Sequence, residues 1–179
     1  MVNREKLKHC MLFFLEKINN VYLGRTKLMK LLYYVDFDHY EAYDKSVTSA
    51  TYKKLPHGPV PAEAEKIINE MVKKQEVREF KTHLAGYRQK RLATLTAKFD
   101  PSKFGGGELE VMEKVAKDWE NNSASEIEAA SHKEAPWKAT KDNGVIDYEL
   151  ANYRKASEEE PVDQFLSRSD KFRSYVNSL

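Results

Sequence analysis

Residues 25–43 constrain this chain more than any other stretch. Leu28, Leu31, Leu32, Val35 and His39 recur at three- and four-residue steps, and Tyr33, Tyr34, Phe37 and Tyr40 widen the stripe. A helix apolar over that much of its circumference belongs at the centre of a domain. The rest of the chain must then supply elements that wrap it. With 179 residues, 41% of them apolar and 32% charged, one domain with a short appendage is affordable.

The flanking pattern supplies those elements. Asn3 can cap a first helix through residue 19, whose inner stripe is Leu7, Cys10, Met11, Phe14, Leu15 and Ile18. Residues 48–55 alternate weakly and predict a strand. Three prolines and a glycine in residues 56–61 predict a loop of constrained shape, with Pro61 opening a third helix to about residue 74. That helix buries Ala64, Ile67, Ile68 and Met71. Residues 77–83 and 88–96 predict two strands around a turn in which Gly86 supplies a positive φ. Residues 99–107, with Pro101 and three successive glycines, predict a connector. A fourth helix follows over 108–120, with Leu109, Met112, Val115, Ala116 and Trp119 on one side. Ser123 and Glu126 have capping-box spacing ahead of a fifth helix through Ser131. Pro136 stops or kinks it, Asn143-Gly144 marks a turn, and Asp147 caps a short helix through Tyr153. The order predicts an α+β fold, mainly helical, with a small three-stranded antiparallel sheet.

Residues 157–161 are acidic and end in proline, a linker. Beyond it Val162, Phe165, Leu166, Phe172, Tyr175, Val176 and Leu179 lie at helical spacing, which predicts an amphipathic tail helix interrupted at 167–170. The expected division is 1–155 for the domain and 156–179 for linker and tail.

The chemistry that composition admits is narrow. Lone Cys10 excludes a disulfide framework and a multi-thiolate zinc site, and as part of an apolar stripe it reads as a small buried hydrophobe. The longest pure apolar run, residues 11–15, is too short for a membrane span or a signal peptide, so a soluble, cytoplasmic protein is expected. Phosphate-loop, dinucleotide, zinc-protease and nucleophile-elbow motifs are all missing, and Gly105-Gly106-Gly107 lacks the lysine and hydroxyl of a phosphate loop. Asp36, Asp38, His39 and Glu41 form the densest ligand-type cluster, but spacing identifies no further ligand. No metal or other cofactor is expected. Net charge is +2 overall, yet residues 1–98 carry 19 Lys and Arg against 11 Asp and Glu, whereas 99–179 carry 11 against 17. Two solvated faces compensating within one fold explain this, and so does a basic surface that meets an acidic partner. Lys81, Arg88, Lys90 and Arg91, with Phe80 and Tyr87, form the best nucleic-acid candidate. Basic residues guarding a sheet edge are the competing and preferred explanation.

Three ordered motifs add a resemblance. They are the run from Leu28 to Asp36, the stretch from Tyr52 through His57-Gly58-Pro59-Val60, and Ser131-His132 with Pro136-Trp137. Over residues 3–155 the chain resembles the Panacea domain, the SocA-like antitoxin or GepA-like phage-associated family. The resemblance implies an antitoxin that binds and neutralises a cognate toxin, encoded by an adjacent gene, by direct protein–protein contact. One branch of the family instead delivers its toxin to a Clp-type protease as an adaptor. No catalytic residues are implied. Many members add a DNA-binding helix-turn-helix domain; here the resemblance begins near residue 3, so DNA-based autoregulation is not expected. Candidate partner-binding residues are Tyr52, His57, Gly58, Pro59, His132 and Trp137, with Phe165, Phe172 and Tyr175 from the tail. An alternative from another class is a metal-dependent hydrolase using Asp36, His39 and His132. Homo-oligomerisation is left open, and neither membrane nor nucleic acid is an expected partner.

Overall fold

The central helix is where the sequence puts it. In the computed structural model, which describes residues 1–84 and 86–154, α2 (Arg25–Tyr43) buries twelve of its nineteen residues. The other elements surround it. Helix α1 (Arg4–Lys17) starts where the Asn3 side chain accepts the Lys6 N–H at 3.0 Å, and it lays Leu7, Cys10, Met11 and Phe14 against α2. Helix α4 (Gly106–Trp119) covers another side with Val111, Met112, Val115 and Ala116. It begins two residues earlier than the pattern suggests. The Glu108 carboxylate accepts the Gly105 N–H at 2.8 Å and so draws the glycines into the first turn. Helix α5 (Ala124–Lys133) carries the reciprocal cap expected of Ser123 and Glu126. Pro136 does not merely end α5. It sits in the first turn of a further short helix, α6 (Ala135–Ala139), where its missing N–H is no loss.

The fold is α+β and mainly helical with a small three-stranded antiparallel sheet, but two of its strands were not foreseen. Strand β1 (Tyr52–Leu55) pairs with β2 (Gly58–Pro61) and with the two-residue β5 (Val145–Ile146), in the order β2-β1-β5. The stretch 56–61 is therefore the turn and return strand of a hairpin rather than a loop. Its prolines are tolerated because β2 is an edge strand, where a missing donor costs the ladder nothing. Pro61 pairs with Tyr52 and Pro59 with Lys54, and Ala62 N–H extends the pairing to the Thr51 carbonyl at 2.8 Å. Helix α3 (Ala64–Lys73) follows and buries the four apolar residues its pattern marks. Strands β3 (Val77–Leu84) and β4 (Tyr87–Thr94) form a separate two-stranded hairpin, with Gly86 at φ +84° in its turn. A 3-10 helix (Tyr148–Tyr153) capped by Asp147 returns to pack on α2. The tail beyond residue 155, with Phe165, Phe172 and Tyr175, lies outside the described residues.

An internal polar knot ties β1 to α2. Asp36 is fully buried and accepts from the Thr48 N–H at 2.7 Å, from the Thr48 hydroxyl and from the Tyr52 hydroxyl at 2.9 Å. The Tyr52 hydroxyl also reaches the Leu32 carbonyl at 2.8 Å, and that of Tyr148 lies 3.4 Å from the carboxylate while donating to the Ala50 carbonyl at 2.6 Å. Burial pushes the Asp36 carboxyl above its ordinary value, and the hydrogen bonds from Thr48, Tyr52 and Tyr148 oppose that rise. Phe37 packs beneath, edge-on to Tyr52 at 5.5 Å and stacked with Tyr148 at 4.7 Å. Residues 48–51 thus turn inward to Asp36 and only then enter the strand, which is why β1 is shorter than the alternation predicts. Asp36→Ala removes the acceptor for all these donors at once. It should cost about 3 kcal/mol or more, measured by denaturant unfolding. A loss below about 1 kcal/mol would show that the knot does not hold β1 to α2.

Candidate functional site

The β1–β2 turn is the point where an interior position dictates a surface one. Gly58 has φ +102°, and a Cβ placed on it would lie 2.4 Å from the Lys30 side chain. Both conditions select glycine there. Lys30 comes from α2 and runs beneath the turn with only 1% of its surface exposed. Burial pushes its ammonium down to about 8, against the attraction of the Glu128 carboxylate on α5. The turn packed over this lysine carries His57 outward. The His57 side chain is 82% exposed, and its Nδ1 is 3.5 Å from Glu128 Oε1. Pro59, next in the strand, is buried.

The α5–α6 junction completes the corner. His132 stacks face to face on Trp137, with ring centroids 4.0 Å apart and planes 13° from parallel. Lys54 of β1 lies over the Trp137 ring at 4.9 Å and donates to the Thr140 carbonyl at 2.9 Å. It thereby bonds sheet to helix by a cation–π contact and a hydrogen bond together. His132 Nε2 is buried with no hydrogen-bond partner. Burial lowers the His132 pKa, Lys30, Lys54 and His57 lower it further, and Glu128 opposes them, so the ring is neutral at pH 7. The corner is thus a layered arrangement of aromatic rings and nitrogen cations around one carboxylate. Its chemistry is recognition: flat apolar faces, a solvent-facing imidazole and a guarded negative charge.

The structure sorts the residues that sequence reasoning selected. His57, Gly58, His132 and Trp137 come together with Lys30, Lys54 and Glu128, three residues that reasoning did not select. No sequence signal marks Lys30, because a lysine next to an apolar stripe ordinarily extends its head to water. Tyr52 faces the interior, in the Asp36 knot, and presents nothing to a partner. Asp36, His39 and His132 do not converge. The His39 ring nitrogen is tied to the Lys45 carbonyl, Asp36 to hydroxyls and His132 to Trp137. Among the described residues no group of three or more His, Cys, Asp or Glu side chains is arranged to hold a metal ion. In the β3–β4 hairpin, Phe80 has Arg78 and Arg91 over its ring at 5.6 and 5.7 Å, and Arg91 also donates to the Asn20 carbonyl at 2.7 Å. That ring is already covered, and the exposed aromatic of the hairpin is Tyr87 at the turn. No described helix is long and apolar enough to cross a membrane.

A family model described as the antitoxin SocA-like Panacea domain matches residues 28–138, more than half of the chain. The chain belongs to that family. No curated protein and no solved structure matches it.

The buried lysine generates a prediction of definite sign. Its folded pKa of about 8 lies below a lysine's ordinary value of 10.5, so between those values the unfolded chain binds more protons. Stability should therefore rise as pH increases from 8 to 10, on the order of 2 kcal/mol from this residue. In Lys30→Met that part of the rise should vanish, while Lys27, also lowered to about 8, keeps its own share. Denaturant unfolding of both proteins at pH 8 and pH 9.5 is the measurement. Equal slopes would mean that Lys30 is not desolvated in the folded state.

Proposed function

We propose that this member of the antitoxin SocA-like Panacea family is the antitoxin of a toxin–antitoxin pair and neutralises its toxin by direct, stoichiometric binding. The observation that carries the reading is the extent of the family match. It runs from Leu28, in the first turn of α2, to one residue beyond Trp137 and so contains Lys30, Lys54, His57, Gly58, Glu128, His132 and Trp137. The fold backs that corner with rigid packing, and it turns outward a side chain, His57, that the interior does not use. Stoichiometric binding needs a preformed surface of this kind and no bond-making step.

A stable protein–protein interface buries about 1,200–2,000 Å² in total, more than the corner alone presents. The natural extension is the groove beside it, an open cavity of about 1,020 Å³ between the β3–β4 turn and the N-terminal ends of α2 and α5. His57 and Glu128 line it on the corner side, and Tyr87, Arg88 and Lys90 on the hairpin side. Its aromatic and cationic lining suits a toxin surface that carries carboxylates among apolar groups.

The experiment uses the full chain and the toxin encoded by the neighbouring gene. Toxin inhibition should saturate near one equivalent, without ATP or protease. His57→Ala should weaken binding by tenfold or more, about 1.4 kcal/mol, with little change in the unfolding midpoint because the side chain is exposed. Neutralisation well below one equivalent would overturn the occlusion reading. Inhibition that requires a Clp-type protease would instead identify the chain as an adaptor.

A further inference from the structure

The groove beside the hairpin runs along the edge of a strand. Tyr87, Arg88, Gln89 and Lys90, four consecutive residues of β4, line it, whereas among the described residues β3 contributes Leu84 alone. Successive side chains of a strand point to opposite faces, so a wall built of consecutive residues is the strand's edge and neither of its faces. That edge is open. Among the described residues no backbone hydrogen bond joins Tyr87–Thr94 to any segment other than β3.

The register identifies the groups that face outward. Leu84 pairs with Tyr87 across the two-residue turn, and the pair that closes such a turn exchanges backbone hydrogen bonds. Hydrogen-bonded and non-hydrogen-bonded pairs then alternate, so His83–Arg88 and Lys81–Lys90 are of the second kind. The N–H and C=O of Arg88 and Lys90 therefore point away from β3, toward the groove. The edge strand β2 of the other sheet differs, since Pro59 and Pro61 blunt it against a further strand. Strand β4 has no proline, and its register runs from Tyr87 to Thr94 without a bulge.

The charge along this edge is one-sided. Lys81 stands directly opposite Lys90, a like-charged pair that costs the hairpin stability. Among the described residues Lys81 and Arg88 have no ion-pair partner, and Lys90 reaches Glu79 at 3.4 Å, a carboxylate that Arg25 also holds. The two carboxylates that line the groove are engaged, Glu65 with Arg25 and Glu128 with His57. The N-terminal ends of α2 and α5 form the opposite wall and add positive potential. Tyr22 and Tyr87 supply exposed rings.

We propose that an extended acidic segment of the toxin lies in this groove and pairs with β4 as a third strand of the hairpin. The proposal rests on the toxin-binding reading and specifies how the groove is used. Carboxylates at alternate positions of the segment face Arg88 and Lys90, and the apolar side chain between them packs beside Tyr87. About four residues, roughly 13 Å of strand, suffice. A second copy of this chain is a poor occupant, because its own β4 would set Arg88 and Lys90 against cations of the same kind. A nucleic acid would bring phosphates against Glu65 and Glu128 and has no peptide backbone to pair.

The test reads the edge itself. Amide hydrogen exchange is followed by NMR in the full-length, isotope-labelled chain, free and with one equivalent of the unlabelled toxin encoded by the neighbouring gene. Exchange of the Arg88 and Lys90 N–H should slow by roughly tenfold or more on binding, while Lys81 and His83, whose N–H groups face the opposite edge, keep their rates. In the double variant Arg88→Gln, Lys90→Gln, altered at two exposed side chains, toxin affinity should fall by roughly tenfold or more without loss of stability. Toxin that binds without protecting Arg88 and Lys90 overturns the proposal and leaves the toxin-binding reading standing; a chain that binds no toxin removes both. An affinity unmoved by the double substitution overturns the acidic chemistry of the segment and the proposal with it. Protection already present without toxin overturns it in favour of the chain's own residues or a second copy. Equal protection by a single-stranded DNA oligonucleotide overturns it in favour of a polyanion.

Discussion

A helix buried on nearly every side must dispose of its polar residues inside the protein, and α2 does so four times. Lys27 is fully buried and donates to the Glu120 and Asn122 carbonyls at 3.0 and 2.6 Å, closing the end of α4. His39 bonds to the Lys45 carbonyl and so fixes the chain just beyond its own C-terminus, where Asp44 adopts a left-handed conformation at φ 51°. Asp36 organises residues 48–52. Lys30 fills the space beneath the β1–β2 turn. Each group recovers part of the cost of leaving water by binding a different segment. The wrapping of the central helix is therefore specified by its polar residues as well as by its stripe.

Long-range charge follows the same logic at the surface. Part of the basic excess of the first half meets carboxylates of the second, and part is paired within the first half itself. Lys6 of α1 pairs with Glu108 at 2.5 Å and Lys17 with Glu113 at 2.6 Å, both on α4. Arg4 and Lys8 reach Glu70 and Glu76 on and just after α3, each at 2.8 Å. Arg25 contacts both Glu65 and Glu79. The exposed ones among these, such as Lys17–Glu113, contribute a few tenths of a kcal/mol each. Their larger consequence is that they fasten α1 to α3 and α4 and α2 to the β3–β4 hairpin.

Much of this was legible in the sequence because it depends on local rules. Helix stripes and caps are written within one or two turns, so α1, α2, α3 and α5 lie close to where periodicity and the Asn3 and Ser123 caps place them. The discrepancies share one cause, a distant partner. Pro59 and Pro61 argue against a strand until β1 is known to shield them at an edge. The glycines before Glu108 read as a connector until its carboxylate is seen to cap them. In the corner, His57, His132 and Trp137 stand out as residue types, whereas Lys30, Lys54 and Glu128 matter only because three separate elements converge. Arg154 is similar: an ordinary arginine in sequence, it becomes a buried anchor once Asp38 and Glu134 flank it.

The corner also carries a cost that packing alone does not explain. An apolar residue of similar length at position 30 would fill the space under Gly58 without a desolvated ammonium. A glycine at positive φ above it adds conformational entropy lost on folding. Features that lower stability collect where a protein needs a particular surface, since selection acts on stability only above a threshold. On the proposed reading the two features act together. Lys30 lies beneath the turn within the electrostatic reach of Glu128, whose carboxylate meets the His57 imidazole at 3.5 Å, and Gly58 lets the turn descend close over the lysine. The imidazole is then presented on a fixed strand pair instead of a mobile loop, with less entropy to lose on binding. A surface preset in this way can bind tightly without catalysis, as the neutralisation of a toxin one molecule at a time requires.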